Sequence, residues 1–190
     1  EGLTGDDVLL RRAQDGFGLQ RPELAVLLST AKLALQEAIE QSALGMLPEM
    51  EGDLIAAFPP MMQEAHRDAI LTHRLRGEIV ATKLANRIIN RLGPLHPYAM
   101  ADEEGAALSD LAEAFWVVEA LYDLKSVYAR IDGAVMAEPA RLMLYDRMAR
   151  AVRDQMADLI RTGLVKGAPA ALVATLRPGF DALSGTVDDL

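Results

Sequence analysis

The chain has 190 residues, of which 51% are hydrophobic and 25% charged, a balance that is typical of a globular domain and excludes a disordered one. The formal net charge of −9 argues against nucleic acid as a partner, because phosphate groups would be repelled. Because the chain has no cysteine, it forms no disulfides or thiolate metal sites, which fits a reducing cytoplasm. No apolar run is long enough to predict a membrane-spanning helix.

Helical periodicity starts near the N-terminus, and no alternating segment indicates a strand. A short helix is predicted over Asp6–Gln14. A longer one begins near Pro22, because proline is well placed in a first helical turn, and ends by Gly45 and Pro48. This second helix carries an apolar stripe at steps of three and four. The stripe consists of Leu24, Leu28, Ala31, Leu35 and Ala38.

The middle of the chain predicts one long helix from Met61 to Leu92, followed by a loop over 93–101. Gly77 lies inside this helix and should cost about 1 kcal/mol relative to alanine. A close crossing with another helix would explain why a glycine stands there. The next helix is predicted to begin near Asp102.

In the second half, three consecutive three-residue steps around Val118 predict a bend or break between Glu119 and Lys125. Pro139 opens a long regular helix that Gly163 ends. Two short helices, over 168–176 and 178–183, should follow, and the polar tail beyond them should fray.

These elements predict an all-α fold, an irregular bundle of about six to eight helices. Residues 1–190 are interpreted as a single domain, and division into sub-bundles 1–93 and 98–190 is the alternative.

Few residues are candidates for chemistry. His66 and His73 are seven apart, whereas a zinc-binding pair on a helix needs a spacing of three or four. Glycine-rich nucleotide loops, the GxSxG motif and paired Glu-x-x-His motifs are all missing. The sequence therefore predicts no catalytic, cofactor-binding or metal-binding residue in this chain.

One polar pattern stands out on the long middle helix. Glu78, Thr82, Asn86 and Asn90 recur every four residues, so they form one polar stripe beside an apolar one. Two interpretations remain open. The stripe is either a contact face toward another domain or subunit, or a set of polar contacts between helices of this bundle.

Several segments, taken in order, resemble one family. They are Arg21-Pro22-Glu23-Leu24, His73-Arg74-Leu75-Arg76, Leu84-Ala85-Asn86 with Asn90-Arg91, and Arg177-Pro178-Gly179. Together they are similar to the C-terminal helical region of the large bacterial NAD-specific glutamate dehydrogenases, from about Leu9 to Leu183.

The resemblance implies a parent enzyme that oxidatively deaminates L-glutamate to 2-oxoglutarate and ammonia with NAD as cofactor. It places the catalytic residues and the NAD site upstream, so none maps onto this chain. The implied partners are the upstream catalytic domain of the same chain and further copies of the parent in a homo-oligomer. The first residue, Glu1, is not methionine, which agrees with an excised domain. The rival interpretation is a freestanding helical protein-interaction or regulatory module, without an upstream nucleotide-binding segment.

Overall fold

The computed structural model describes residues 5–188, and side chains as far as residue 182. Within that range the chain consists of α-helices and two short 3₁₀ turns, so the all-α prediction is confirmed. The α-helices are α1 Asp6–Gln14, α2 Arg21–Gln41, α3 Glu51–Ile55, α4 Pro60–Ala65, α5 Arg67–Leu71, α6 Arg76–Leu92, α7 His96–Glu104, α8 Leu108–Leu121, α9 Leu124–Gly133, α10 Glu138–Arg161 and α11 Pro169–Asp188.

Helices α6 and α8 form the centre of the bundle, because they contribute most of the fully buried apolar side chains. Helix α2 packs antiparallel to α6. The turn after α2 touches the start of α6, and the hydroxyl of Tyr98, which follows α6, donates to the carbonyl of Ala31. The main core cluster contains residues from both sides of the connection at 93–95.

The 3₁₀ turn that follows α2 contains Gly45 and passes close to Gly77 at the start of α6. The close contact expected at Gly77 is therefore with this turn and not with another α-helix. A Cβ atom on Gly45 would lie 3.0 Å from the carbonyl oxygen of Gly77. A Cβ on Gly77 itself would meet only the sulfur of Met46, at 3.6 Å. A larger side chain is therefore less easily accommodated at Gly45 than at Gly77.

The predicted continuous helix from Met61 to Leu92 is wrong, because the chain breaks at His66 and again over 72–75 to give α4, α5 and α6. In the second break, the ring of His73 accepts a hydrogen bond from the backbone N–H of Leu75 at 3.1 Å. Such local side-chain bonds replace helical ones without disturbing apolar spacing. His66 and His73 thus do not share a helix.

The predicted loop over 93–101 is also wrong, because α7 begins at His96 with Pro97 in its first turn. Helix α7 ends at Gly105, whose φ of 62° suits glycine, and α8 starts at Leu108 rather than near Asp102. The break expected between Glu119 and Lys125 is confirmed between α8 and α9.

The long helix opened by Pro139 is confirmed as α10, and Gly163 follows its end with a φ of 66°. The two short helices predicted after it are wrong, because α11 continues through Pro178. Tertiary contacts hold the chain on both sides of this proline: Arg177 bonds to α8, and the ring of Phe180 packs edge-on against Tyr122 at 4.6 Å. The fraying predicted beyond Leu183 is not seen in the described backbone, where α11 continues to Asp188, and residues 189–190 lie outside the described range.

Candidate interaction surface and buried ionic centre

The polar stripe lies along α6, beside the core residues of that helix. Glu78 and Asn90 are exposed, whereas Thr82 and Asn86 are half-buried. The structure therefore places all four predicted residues on one accessible face.

Hydrogen bonding within the stripe is local. The hydroxyl of Thr82 donates to the carbonyl of Glu78 at 2.7 Å, inside the same helix. Among the described residues, no side chain of the stripe bonds to another helix of the bundle. The two amides, Asn86 and Asn90, consequently keep their donors and acceptors available on the surface.

Next to the stripe lies a buried ionic centre that sequence reasoning missed. We define it as Asp53 on α3, Arg87 on α6, Glu119 on α8 and Lys125 on α9. The guanidinium of Arg87 donates to both carboxylate oxygens of Asp53, at 3.1 and 2.8 Å, and its Nε lies 2.9 Å from the Glu119 carboxylate. The Lys125 ammonium lies 3.1 Å from Asp53 and 3.8 Å from Glu119. The centre thereby ties four helices together.

The two carboxyl groups of the centre are shifted in opposite directions. Burial alone would raise the pKa of Asp53, but the hydrogen bonds and charges of Arg87 and Lys125 outweigh burial and hold that pKa below its ordinary value. Burial raises the pKa of Glu119, and the same two cations offset only part of that rise. Asp53 adds to the rise, because a second negative charge disfavours ionisation of its neighbour.

The centre borders a small surface pocket of about 170 Å³, which Trp116 and Asp123 also line. Its two carboxylates already face two cations, so the arrangement acts as a structural clamp. No cluster of histidine and carboxylate side chains suited to a metal ion occurs among the residues that the structure describes. One sequence signal was available: Glu113 and Glu119 interrupt an otherwise apolar stretch of α8.

Glu113 is the other buried carboxylate of α8, and it caps a neighbouring helix. It accepts hydrogen bonds from the backbone N–H groups of Gly167 and Ala168, at 2.6 and 3.0 Å, just before α11. In return, the guanidinium of Arg177 on α11 donates to the last carbonyls of α8, at 2.7 and 2.9 Å. Each charge complements the dipole of the helix end that it meets, so α8 and α11 are fixed as a parallel pair.

The third histidine, His96, contacts Arg153 between α7 and α10. Burial lowers the pKa of His96, and the nearby charge of Arg153 lowers it further, while Glu103 partly opposes both. A neutral His96 packed on an arginine fits a packing role between the two helices.

Comparison with known proteins gives a consistent result. The family model described as "Glutamate dehydrogenase, C-terminal" matches residues 16–190. The NAD-specific glutamate dehydrogenase of Pseudomonas aeruginosa is 30% identical over the whole of this chain. Those of Halomonas elongata and Mycobacterium tuberculosis are 32% and 28% identical over 78% and 94% of it.

The chain therefore belongs to the glutamate dehydrogenase C-terminal family. It spans only 12%, 9% and 11% of the length of these three relatives. None of the helices that the structure describes is both long and apolar enough to cross a bilayer.

Proposed function

We propose that this chain is a non-catalytic helical domain at the C-terminal end of an NAD-dependent glutamate dehydrogenase. The parent enzyme would convert L-glutamate to 2-oxoglutarate and ammonia, with NAD and the reacting groups held by its upstream part. The observation that carries this proposal is the family match, which covers most of the chain and a small share of each relative.

The environment of the charged side chains supports a non-catalytic role. The two carboxylates of the ionic centre are paired with its two cations, while Glu113 and Arg177 cap helix ends. Groups committed to such contacts serve stability, because removing them from their partners would leave buried charge uncompensated.

We further propose that residues 1–190 act as one domain, since helices on both sides of the connection at 93–95 share a core. Its surface would support the parent enzyme by packing against the catalytic domain or in assembly of a homo-oligomer. The polar stripe of Glu78, Thr82, Asn86 and Asn90 suits such a contact, because its amides have no partner helix within the described bundle.

The stripe can be tested in the full-length enzyme with the double substitution Asn86→Ala and Asn90→Ala. We expect lower glutamate-dependent NADH formation or a smaller particle by light scattering, because hydrogen bonds to a neighbouring surface are lost. The control is Ser126→Ala with Arg130→Ala, two exposed positions on α9. Unchanged kinetics and unchanged particle mass in the stripe variant would remove this role.

The non-catalytic assignment can be tested with the isolated chain. We expect calorimetric titration with NAD, with and without glutamate, to give no heat of binding. Micromolar affinity for NAD would overturn the assignment.

A further inference from the structure

The N-terminal arm, which we define as residues 5–30, exposes apolar side chains that no other described part of the chain covers. Helix α1 has no buried residue. Leu10 is 61% exposed and Phe17 is 69% exposed. Side chains of this size and number facing water indicate a surface that another element covers.

The apolar stripe of α2 leads to the same conclusion. Its later members, Ala31 and Leu35, are buried in the core, whereas Leu24 and Leu28 are exposed. The bond from Tyr98 to the carbonyl of Ala31 marks the edge of the bundle on this helix. The stripe continues past that edge with unchanged helical spacing, as a buried face does.

The arm nevertheless has a defined shape. The guanidinium of Arg12 donates to both oxygens of the Glu23 carboxylate, at 2.8 and 2.9 Å, and the backbone N–H of Gln20 donates to the same group at 2.7 Å. These bonds hold α1 against the start of α2 without apolar burial. They leave a groove of about 540 Å³ with an apolar lining. Its apolar residues are Leu9, Leu10, Ala13, Phe17 and Leu19.

We propose that this groove and the exposed part of the α2 stripe dock onto the segment of the same polypeptide that precedes this domain in the parent dehydrogenase. The proposal rests on the function proposed above. One curated relative aligns with all of this chain over only 12% of its own length, so most of such a polypeptide lies outside these residues. The matching family model is a C-terminal one that begins at residue 16, within the arm, and α1 is the first helix among the described residues.

The upstream segment is the favoured occupant of the groove because it would be covalently linked to the arm. An apolar surface close in sequence to its partner meets that partner at a high effective concentration, so modest contacts are enough to hold it. The complementary surface should therefore be apolar, with a polar rim that matches Asp6 and Arg12 at the edge of the groove.

The test is photo-crosslinking in the full-length enzyme, with benzoylphenylalanine in place of Leu10. The matched control carries the same probe in place of Leu33, which is 63% exposed but lies on the opposite side of α2 from Leu24. We expect the probe at position 10 to crosslink to an upstream peptide of its own chain, with a several-fold higher yield than the probe at position 33. The product should keep the mobility of a single chain on a denaturing gel.

Three results would overturn the proposal: a band of doubled mass, which would mean a second copy of the chain; no crosslinked peptide; or equal yields at the two positions. A companion pair, Leu10→Glu and Leu33→Glu, should lower the melting temperature of the full enzyme only in the first case. If the crosslink fails while the stripe variant still impairs the enzyme, the docking face is wrong and the domain role stands. If the isolated chain binds NAD, the domain role fails whatever the crosslink shows.

Discussion

The ionic centre and the N-terminal arm reverse the usual distribution of residue types. In the centre, Asp53 and Glu119 are almost fully buried, and in the arm Leu10 and Phe17 face water. The buried charges are tolerated because each has an opposite charge within about 3 Å of it. In these two regions, burial follows the availability of partners rather than hydropathy, whereas elsewhere the described core is apolar.

The two regions also use ion pairs differently. The pair between Arg87 and Asp53 joins helices far apart in sequence and is largely buried beside a small surface pocket. The pair between Arg12 and Glu23 joins two neighbouring helices, and one of them, α1, buries no side chain. Loss of the first pair should destabilise the whole bundle, whereas loss of the second should release only the arm.

The largest expected effect comes from removing the cation at the centre. Arg87→Met should lower the free energy of unfolding by about 3–5 kcal/mol, because two buried carboxylates lose their main partner. Urea denaturation of the 190-residue chain measures this. The control is Lys125→Met, whose side chain is 58% exposed, and it should lose less than about 1 kcal/mol. Equal losses in the two variants would mean that the centre is not clamped by Arg87.

Removing the charge of Asp53 should also destabilise the chain, by an amount that depends on pH. Asp53→Asn should cost about 2 kcal/mol at pH 7, because an amide accepts hydrogen bonds but carries no charge to balance Arg87. The pKa of Asp53 is lowered in the fold, so its contribution is full above its ordinary pKa of about 4 and is lost as the pH falls through the lower folded value.

The difference between wild type and Asp53→Asn in urea denaturation should therefore shrink as the pH falls below about 4. The two chains should be compared in a Glu119→Gln background, because Asp53 raises the pKa of Glu119 and the titration of Glu119 would otherwise differ between them. A difference that grows toward acid pH would contradict the assigned direction.

Smaller changes in stability are expected at the close contact between the 3₁₀ turn after α2 and the start of α6. Gly45→Ala should lower the free energy of unfolding by about 1–2 kcal/mol, because the new Cβ meets a backbone oxygen that cannot move alone. Gly77→Ala should be neutral or stabilise by up to about 1 kcal/mol, since alanine favours the helix and its Cβ meets only Met46. Thermal melts of the two variants compare them directly, and the opposite order would mean that the helices cross differently.

The smallest effect on global stability is expected in the arm. Glu23→Gln weakens the link to Arg12, and although Glu23 is buried it should lower the free energy of unfolding of the isolated chain by only about 1 kcal/mol, because the pair is local and α1 has no buried residue. Hydrogen exchange should still become faster at the amides of α1 while those of α8 are unchanged. Faster exchange in α8 would show that the arm supports the bundle.

Elements with strong local signals were predictable, and elements that depend on distant contacts were not. Proline and glycine marked the ends of α10, and the spacing around Val118 marked the break before α9. Between Met61 and Leu92 the apolar period stayed helical although the backbone turned twice. Apolar spacing records which side of a segment is buried, and it does not record whether consecutive turns share one axis.

The polar stripe could be predicted from the sequence, whereas the ionic centre could not. Glu78, Thr82, Asn86 and Asn90 share one helix, so their common face followed from their spacing alone. Asp53, Arg87 and Glu119 are more than thirty residues apart in sequence. No local rule connects them, because their distances depend on how α3, α6 and α8 pack.

The amino-acid order alone determined that this protein is helical, that a polar stripe runs along α6 and that its segments resemble the glutamate dehydrogenase C-terminal family. Local helix propensity and a period of 3.6 residues act within a few turns, so they can be read without coordinates. Tertiary packing decided which charges are buried together, that α11 passes through Pro178, and that Leu24 and Leu28 remain uncovered. Each of these depends on which surfaces meet in space, and that is a property of the assembled bundle rather than of any one segment.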